Sequence, residues 1–152
     1  MKPISILILD DVPYVRQLIA NEVSVLQGIA QIYEAGDAAA AVIVITMHQP
    51  EIIILDINVP GGIFESVRYN SGIDVLRVAK TSLPHSKVIM LTNNANEYYR
   101  RECKKSGADY FFDKTNEFDL FLERVQCVVE DPVYWLSVET LQKPTILQSH
   151  DD

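Results

Sequence analysis

Nearly unbroken isoleucine and leucine runs, Ile4 to Leu9 and Glu51 to Asp56, constrain this chain more than any other feature. A run of about six apolar residues is too short for a helix, and its lack of polar alternation asks for a strand covered on both faces. Three further runs, Ile29 to Glu34, Lys87 to Leu91 and the more aromatic Asp109 to Asp113, complete a set of five. Helical patterns follow each of them. Tyr14 to Leu26 sets Val15, Leu18, Ile19, Val23 and Leu26 on one stripe, behind a proline that suits a first turn. Asp37 can cap Ala38 to Met47, although Val42 to Ile45 is β-branched. Ile73 to Leu83 stops before Pro84, Glu97 to Ser106 stops at Gly107, and Phe118 to Val129 carries an apolar face. Strand and helix in alternation five times over predict an α/β fold with a doubly wound parallel sheet and helices on both faces.

In such sheets ligands lie beyond the carboxyl ends of the strands. Here the first strand ends in Asp10-Asp11, the third in Asp56, the fourth in Thr92 and the fifth in Asp113-Lys114. Each alone reads as a turn residue, a cap or a solvated charge. Together they bring carboxylates, a hydroxyl and an ammonium to one edge. Clustered carboxylates need a cation to stay ionised, and oxygen ligands with room for water suit Mg²⁺. Such a site can hold a phosphoryl group, with a carboxylate as nucleophile.

These residues resemble the receiver domain of two-component response regulators. The matches are Ile-Leu-Asp10-Asp11, Ile-Ile-Leu-Asp56-Ile-Asn-Val-Pro60, Val-Ile-Met-Leu-Thr92 and Gly107-Ala-Asp-Tyr-Phe-Phe-Asp-Lys114, across about residues 4 to 129. The resemblance implies a flavodoxin-like five-stranded sheet of order 2-1-3-4-5. It implies that Asp56 is phosphorylated, that Asp10, Asp11, Asp56 and the backbone carbonyl of Asn58 serve Mg²⁺, and that Thr92 and Lys114 meet the phosphoryl oxygens. Phe111 falls at the switch aromatic, where an ordinary half-buried strand aromatic is the other reading. The implied partners are a histidine kinase or histidine phosphotransfer protein, and a downstream protein on the fourth helix, fifth strand and fifth helix. Tyr98, Tyr99, Arg100, Arg101 and Tyr110 lie there, with the tyrosines readable as one core and one rim residue.

The chain departs from that pattern at three places. Asn93 follows the switch threonine where a small residue is usual. Thr115 follows the lysine where proline is usual, which leaves a cis Lys114–Thr115 bond or a cap from Thr115 or Asn116 open. Gly72 stands sixteen residues after Asp56, where the family's glycine stands eight, so about eight residues, Ile63 to Asn70, are inserted after Gly61-Gly62. That loop is either a neutral excursion or a lid or kinase contact built on Phe64, Arg68 and Tyr69.

Net charge −8 and a pI near 4.8 disfavour nucleic acid and anionic membranes as partners. The densest basic group, Arg100, Arg101, Lys104 and Lys105, reads as a solvated helix stripe. Cys103 and Cys127 have no paired spacing, no apolar run approaches the about 18 residues of a membrane span, and no leader is visible, so the expected location is the cytoplasm. Residues 1–130 read as the receiver and 131–152 as a tail without an output domain. Two other readings compete. One is a phosphatase of the haloacid dehalogenase type, whose aspartates stand two apart, unlike the adjacent Asp10 and Asp11. The other is a degenerate receiver acting as a phosphorylation-independent binding module.

Overall fold

The computed structural model describes residues 3–131. The strands are β1 (Ile4–Leu9), β2 (Ile29–Ala35), β3 (Ile52–Leu55), β4 (Gly62–Phe64), β5 (Val67–Tyr69), β6 (Lys87–Thr92) and β7 (Tyr110–Asp113). The helices are α1 (Pro13–Ser24), α2 (Ala38–His48), α3 (Gly72–Ser82), α4 (Glu97–Lys105) and α5 (Phe118–Glu130). Five strands pair in parallel in the order β2-β1-β3-β6-β7, which is 2-1-3-4-5 among the strands of the main sheet. The predicted flavodoxin-like arrangement is the one observed. Expectations for 132–152, including Tyr134, Trp135, Leu136 and Val138, fall outside the described residues.

Side chains alternate across each strand, so the apolar runs supply two cores at once. Leu7, Leu9, Ile53, Leu55, Val88 and Met90 face α2 and α3. Ile6, Ile8, Ile52, Ile54, Ile89 and Leu91 face α1 and α5. Every one of these is at most 1% exposed, which is why the runs show no polar alternation. Burial also explains α2. Its β-branched stretch is a poor helix former, yet Ala38, Ala41, Val42 and Ile45 are packed into the first core, and Asp37 accepts from the Ala40 amide at 2.7 Å.

The inserted segment is not the loop that its sequence suggests. Gly62–Phe64 and Val67–Tyr69 form an antiparallel hairpin. Its two-residue turn, Glu65-Ser66, has φ of 52° and 67°, positive at both positions as such turns require. The segment leading into it caps α2: Ala38 N–H donates to the Pro60 carbonyl at 2.8 Å and Ala39 N–H to that of Gly61 at 3.4 Å. These are helix amides that have no partner within their own helix. A Cβ on Gly61 would stand 2.0 Å from the Tyr69 carbonyl oxygen, so only glycine lets the hairpin's two ends meet. Of the three residues read as a lid, Tyr69 is buried and Phe64 packs against the first core, which leaves Arg68 exposed. Tyr69→Ala is therefore expected to lower stability by about 3 kcal/mol in urea unfolding. An unchanged midpoint would show that the hairpin does not depend on this packing.

Candidate functional site

The site assembles because each strand stops where the sheet meets solvent. Asp10 N–H donates to Ala35 O at 3.1 Å and Asp56 N–H to Leu9 O at 3.0 Å, which carries the ladder one residue past the strand ends. Lys114 N–H donates to Thr92 O at 2.9 Å in the same way. The side chains at these positions then face one another. Lys114 Nζ lies 2.6 Å from Asp10 Oδ2 and 2.7 Å from Asp56 Oδ2. Carboxylate oxygens of Asp10, Asp11 and Asp56 all lie within 4.8 Å of one another. Asp10 is buried at 1% exposure and Asp56 at 8%, while Asp11 opens to solvent. Although adjacent in sequence, Asp10 and Asp11 both reach the cluster.

Burial pulls the Lys114 ammonium pKa down, but its hydrogen bonds to Asp10 and Asp56, with their charges, more than offset this and leave it above the ordinary lysine value. The lysine is thus a fixed cation at neutral pH. Three carboxylates around one point, with one member solvent-facing, form an all-oxygen donor set with access for water, which fits Mg²⁺.

Thr92 is 1% exposed, and its hydroxyl oxygen accepts from the Asn94 amide at 3.2 Å. Asn58 is exposed, two residues past Asp56, where Val59 N–H closes a tight turn onto Ile57 O at 3.1 Å. Gly72 is brought against the phosphoacceptor candidate itself: a Cβ there would stand 1.8 Å from the Asp56 carbonyl oxygen. Its amide donates to Ile57 O at 2.9 Å. Gly72 is the glycine that counting along the sequence singles out, and it packs against the backbone of Asp56 and Ile57.

Other partners were not legible in the sequence. Arg16 donates to the Asp10 carbonyl at 2.7 Å and to Glu34 at 3.3 Å, which steadies the strand end that carries Asp10. Phe111 is half-buried under the Arg100 guanidinium, 4.8 Å from its ring centroid. Arg100 also donates to Glu117 at 2.8 Å, and Glu117 accepts the Asp113 amide at 2.9 Å. That amide and then Arg100 hold the Glu117 carboxyl below its usual range. The expected cap from Thr115 or Asn116 is not formed. Asp113 instead accepts the amides of Thr115 and Asn116 at 2.9 and 3.2 Å, and Glu117, the residue before α5, makes no side-chain cap. No peptide bond among the described residues is cis.

The surface of α4, β7 and α5 divides the tyrosines as one core and one rim residue. Tyr99 packs on the first core and Tyr98 is exposed, with their rings edge to face at 5.3 Å. Arg100, Lys104, Ala108, Asp109, Tyr110 and Phe111 line a shallow pocket of about 270 Å³ there.

Comparison with known proteins agrees with this geometry. The response regulator receiver domain family matches residues 6–126. The chain belongs to that family. Sporulation initiation phosphotransferase F of Bacillus subtilis is 28% identical over 121 residues, which cover 80% of this chain and 90% of that protein. Fimbriae Z protein of Salmonella typhimurium is 24% identical over 141 residues, 93% of this chain. This receiver domain spans between 52% and 63% of the length of three regulators it matches, Fimbriae Z protein among them. Among solved structures, a CheX-CheY-BeF3-Mg²⁺ complex from Borrelia burgdorferi is 26% identical with a TM-score of 0.71, covering 86% of this chain and 92% of that one. Receiver domains are signalling modules of two-component systems, and this chain has their fold and their acidic cluster.

Proposed function

We propose that Asp56 accepts a phosphoryl group from a histidine kinase or histidine phosphotransfer protein, and that the change is read by a downstream protein at the surface of α4, β7 and α5. One observation carries this reading: a lysine ammonium sits between two carboxylates, Asp10 and Asp56, with a third, Asp11, beside them. An ammonium so placed can pass from the Asp56 oxygen to an oxygen of a group attached there. Asp10, Asp11, Asp56 and the carbonyl of Asn58 would hold Mg²⁺. Bound there, the ion would offset the negative charge gathered on the transferring group. The beryllofluoride and Mg²⁺ named with the Borrelia relative support the same chemistry.

In the transfer, an Asp56 carboxylate oxygen bonds to phosphorus as the phosphorus–nitrogen bond to the donor histidine breaks. The electron pair leaves with the imidazole. Lys114 then pairs with a phosphoryl oxygen, and the Thr92 hydroxyl leaves the Asn94 amide to donate to another. Both side chains favour the modified state, so they shift an existing equilibrium. Phe111 moves with the switch when Arg100 releases its ring. Cys103 and Cys127, both free, fit a reducing cytoplasm. Among the described residues no helix is long and apolar enough to cross a membrane.

Incubation with acetyl phosphate and Mg²⁺ tests the reading. The expected result is one added phosphoryl mass, stable to acid and labile to base. It disappears in Asp56→Asn and on chelation of Mg²⁺. A parent protein that stays unmodified, and does not respond to beryllofluoride, would instead support the phosphorylation-independent binding module.

A further inference from the structure

Two of the three departures from the receiver pattern touch each other. The Thr115 hydroxyl donates to Asn93 Oδ1 at 2.9 Å, joining positions 22 apart in sequence. Asn93 directly follows Thr92, and Thr115 directly follows Lys114. The backbone of Lys114 is already tied to that of Thr92 at 2.9 Å, so the side-chain bond adds one more rung just beyond the sheet. Thr115 is itself held, its amide donating to Asp113 at 2.9 Å. Asn116 first, then the Thr115 amide, keeps the Asp113 carboxyl below its usual range, so this anchor is ionised at neutral pH. Asn93 and Thr115 are both exposed, at the rim above the buried Thr92 and Asp56.

We infer that Asn93 and Thr115 form a strap that holds the loops carrying Thr92 and Lys114 together over Asp56 and lengthens the life of the phosphorylated aspartate. The inference rests on Asp56 being the phosphoacceptor. Loss of the group requires water to attack phosphorus in line with the bond to the Asp56 oxygen. The phosphorus–oxygen bond to Asp56 breaks, the electron pair returns to the carboxylate, inorganic phosphate leaves and the water's proton passes to solvent. Water must come from the open side, where the loops after β6 and β7 rise beyond the strand ends. A bond between those loops resists their parting. A small residue in place of Asn93, or a proline in place of Thr115, could not make it. These are positioning residues, since neither is argued to touch the phosphoryl group.

The test follows decay of the phosphoryl group after removal of acetyl phosphate in Asn93→Ala, Thr115→Val, the double variant and Thr115→Ser. Each of the first two is expected to decay about three- to tenfold faster, a ratio within reach of one hydrogen bond. The double variant should decay no faster than either single one, because one bond is lost in all three. Thr115→Ser, which keeps the hydroxyl, should match the parent. Melting temperatures should stay together, since both positions are exposed. Unchanged lifetimes, multiplying effects in the double variant, or a serine variant that behaves like valine would each overturn the strap while leaving Asp56 as acceptor. If the parent itself takes up no phosphoryl group, the acceptor reading fails and the strap falls with it.

Discussion

Gly72→Ala is expected to damage both stability and phosphoryl transfer, even though Gly72 is neither charged nor nucleophilic. Its φ is not in the left-handed region, so backbone freedom is not the reason for glycine. The reason is space. An alanine Cβ would lie 1.8 Å from the Asp56 carbonyl oxygen, 2.8 Å from its carbonyl carbon and 3.1 Å from Ile57 Cα. All three are backbone atoms, so no side chain can turn aside. Either α3 must pull back from β3 or the chain at Asp56 must shift by an ångström or more. The first opens the core around Val75, Leu76 and Ala79, all fully buried. The second separates the Asp56 carboxylate from Lys114. Overpacking against fixed backbone costs about 3 kcal/mol, and a misplacement of about 1 Å in a reacting group can cost roughly a hundredfold in rate. Urea unfolding and acetyl phosphate labelling measure the two effects. At Gly36, by contrast, a Cβ would meet only a side-chain atom, Arg16 Nη1 at 3.2 Å, so Gly36→Ala should cost less stability than Gly72→Ala, while its labelling is no control because that nitrogen donates to the Asp10 carbonyl. Equal stability and labelling for the parent and Gly72→Ala would refute the close approach.

What was legible in the sequence follows from which signals are local. Buried parallel strands announce themselves by uninterrupted apolar runs, and a polar residue ending such a run marks the sheet edge. That is why Asp10, Asp11, Asp56, Thr92 and Lys114 stand out together in the sequence alone. The hairpin gave no such signal. Its strands have three residues each, too few for a period, and its turn is Glu65-Ser66, without the glycine or asparagine that usually reports positive φ. Tyr69 therefore looked like a loop aromatic, when it is a core residue that anchors the insertion. Arg100 on Phe111, Arg16 on Asp10 and Thr115 on Asn93 are pairs between separate elements. Nothing in the spacing of either partner foretells them. The Asn93 and Thr115 departures could each be noted from the sequence, but only the fold shows that they meet.

Lys114→Met should cost the protein roughly 2–4 kcal/mol of stability in the absence of divalent cations. The Lys114 side chain is 11% exposed, and the side chains of its partners Asp10 and Asp56 are 1% and 10% exposed, so water screens this trio poorly. Removing the ammonium leaves neighbouring carboxylates without their compensating charge, and methionine supplies length but no donor. Asp11 keeps one side of the cluster open, which places the cost toward the lower part of the range for broken buried pairs. The pH dependence has a definite sign. The Lys114 pKa is raised on folding, so its contribution is whole below about 10.4, the ordinary lysine value. The contribution disappears as pH climbs through the still higher value in the folded state. The gap between parent and variant should therefore be flat from neutral pH to about pH 9 and close only in stronger alkali. If the acid cluster holds Mg²⁺ as proposed, adding the ion should raise the melting temperature of Lys114→Met more than that of the parent, because the ion takes over part of the lost charge. Equal stability of variant and parent without metal would mean that the ammonium does not hold these carboxylates together. The nucleophile and its gripping cation would then have to be sought elsewhere.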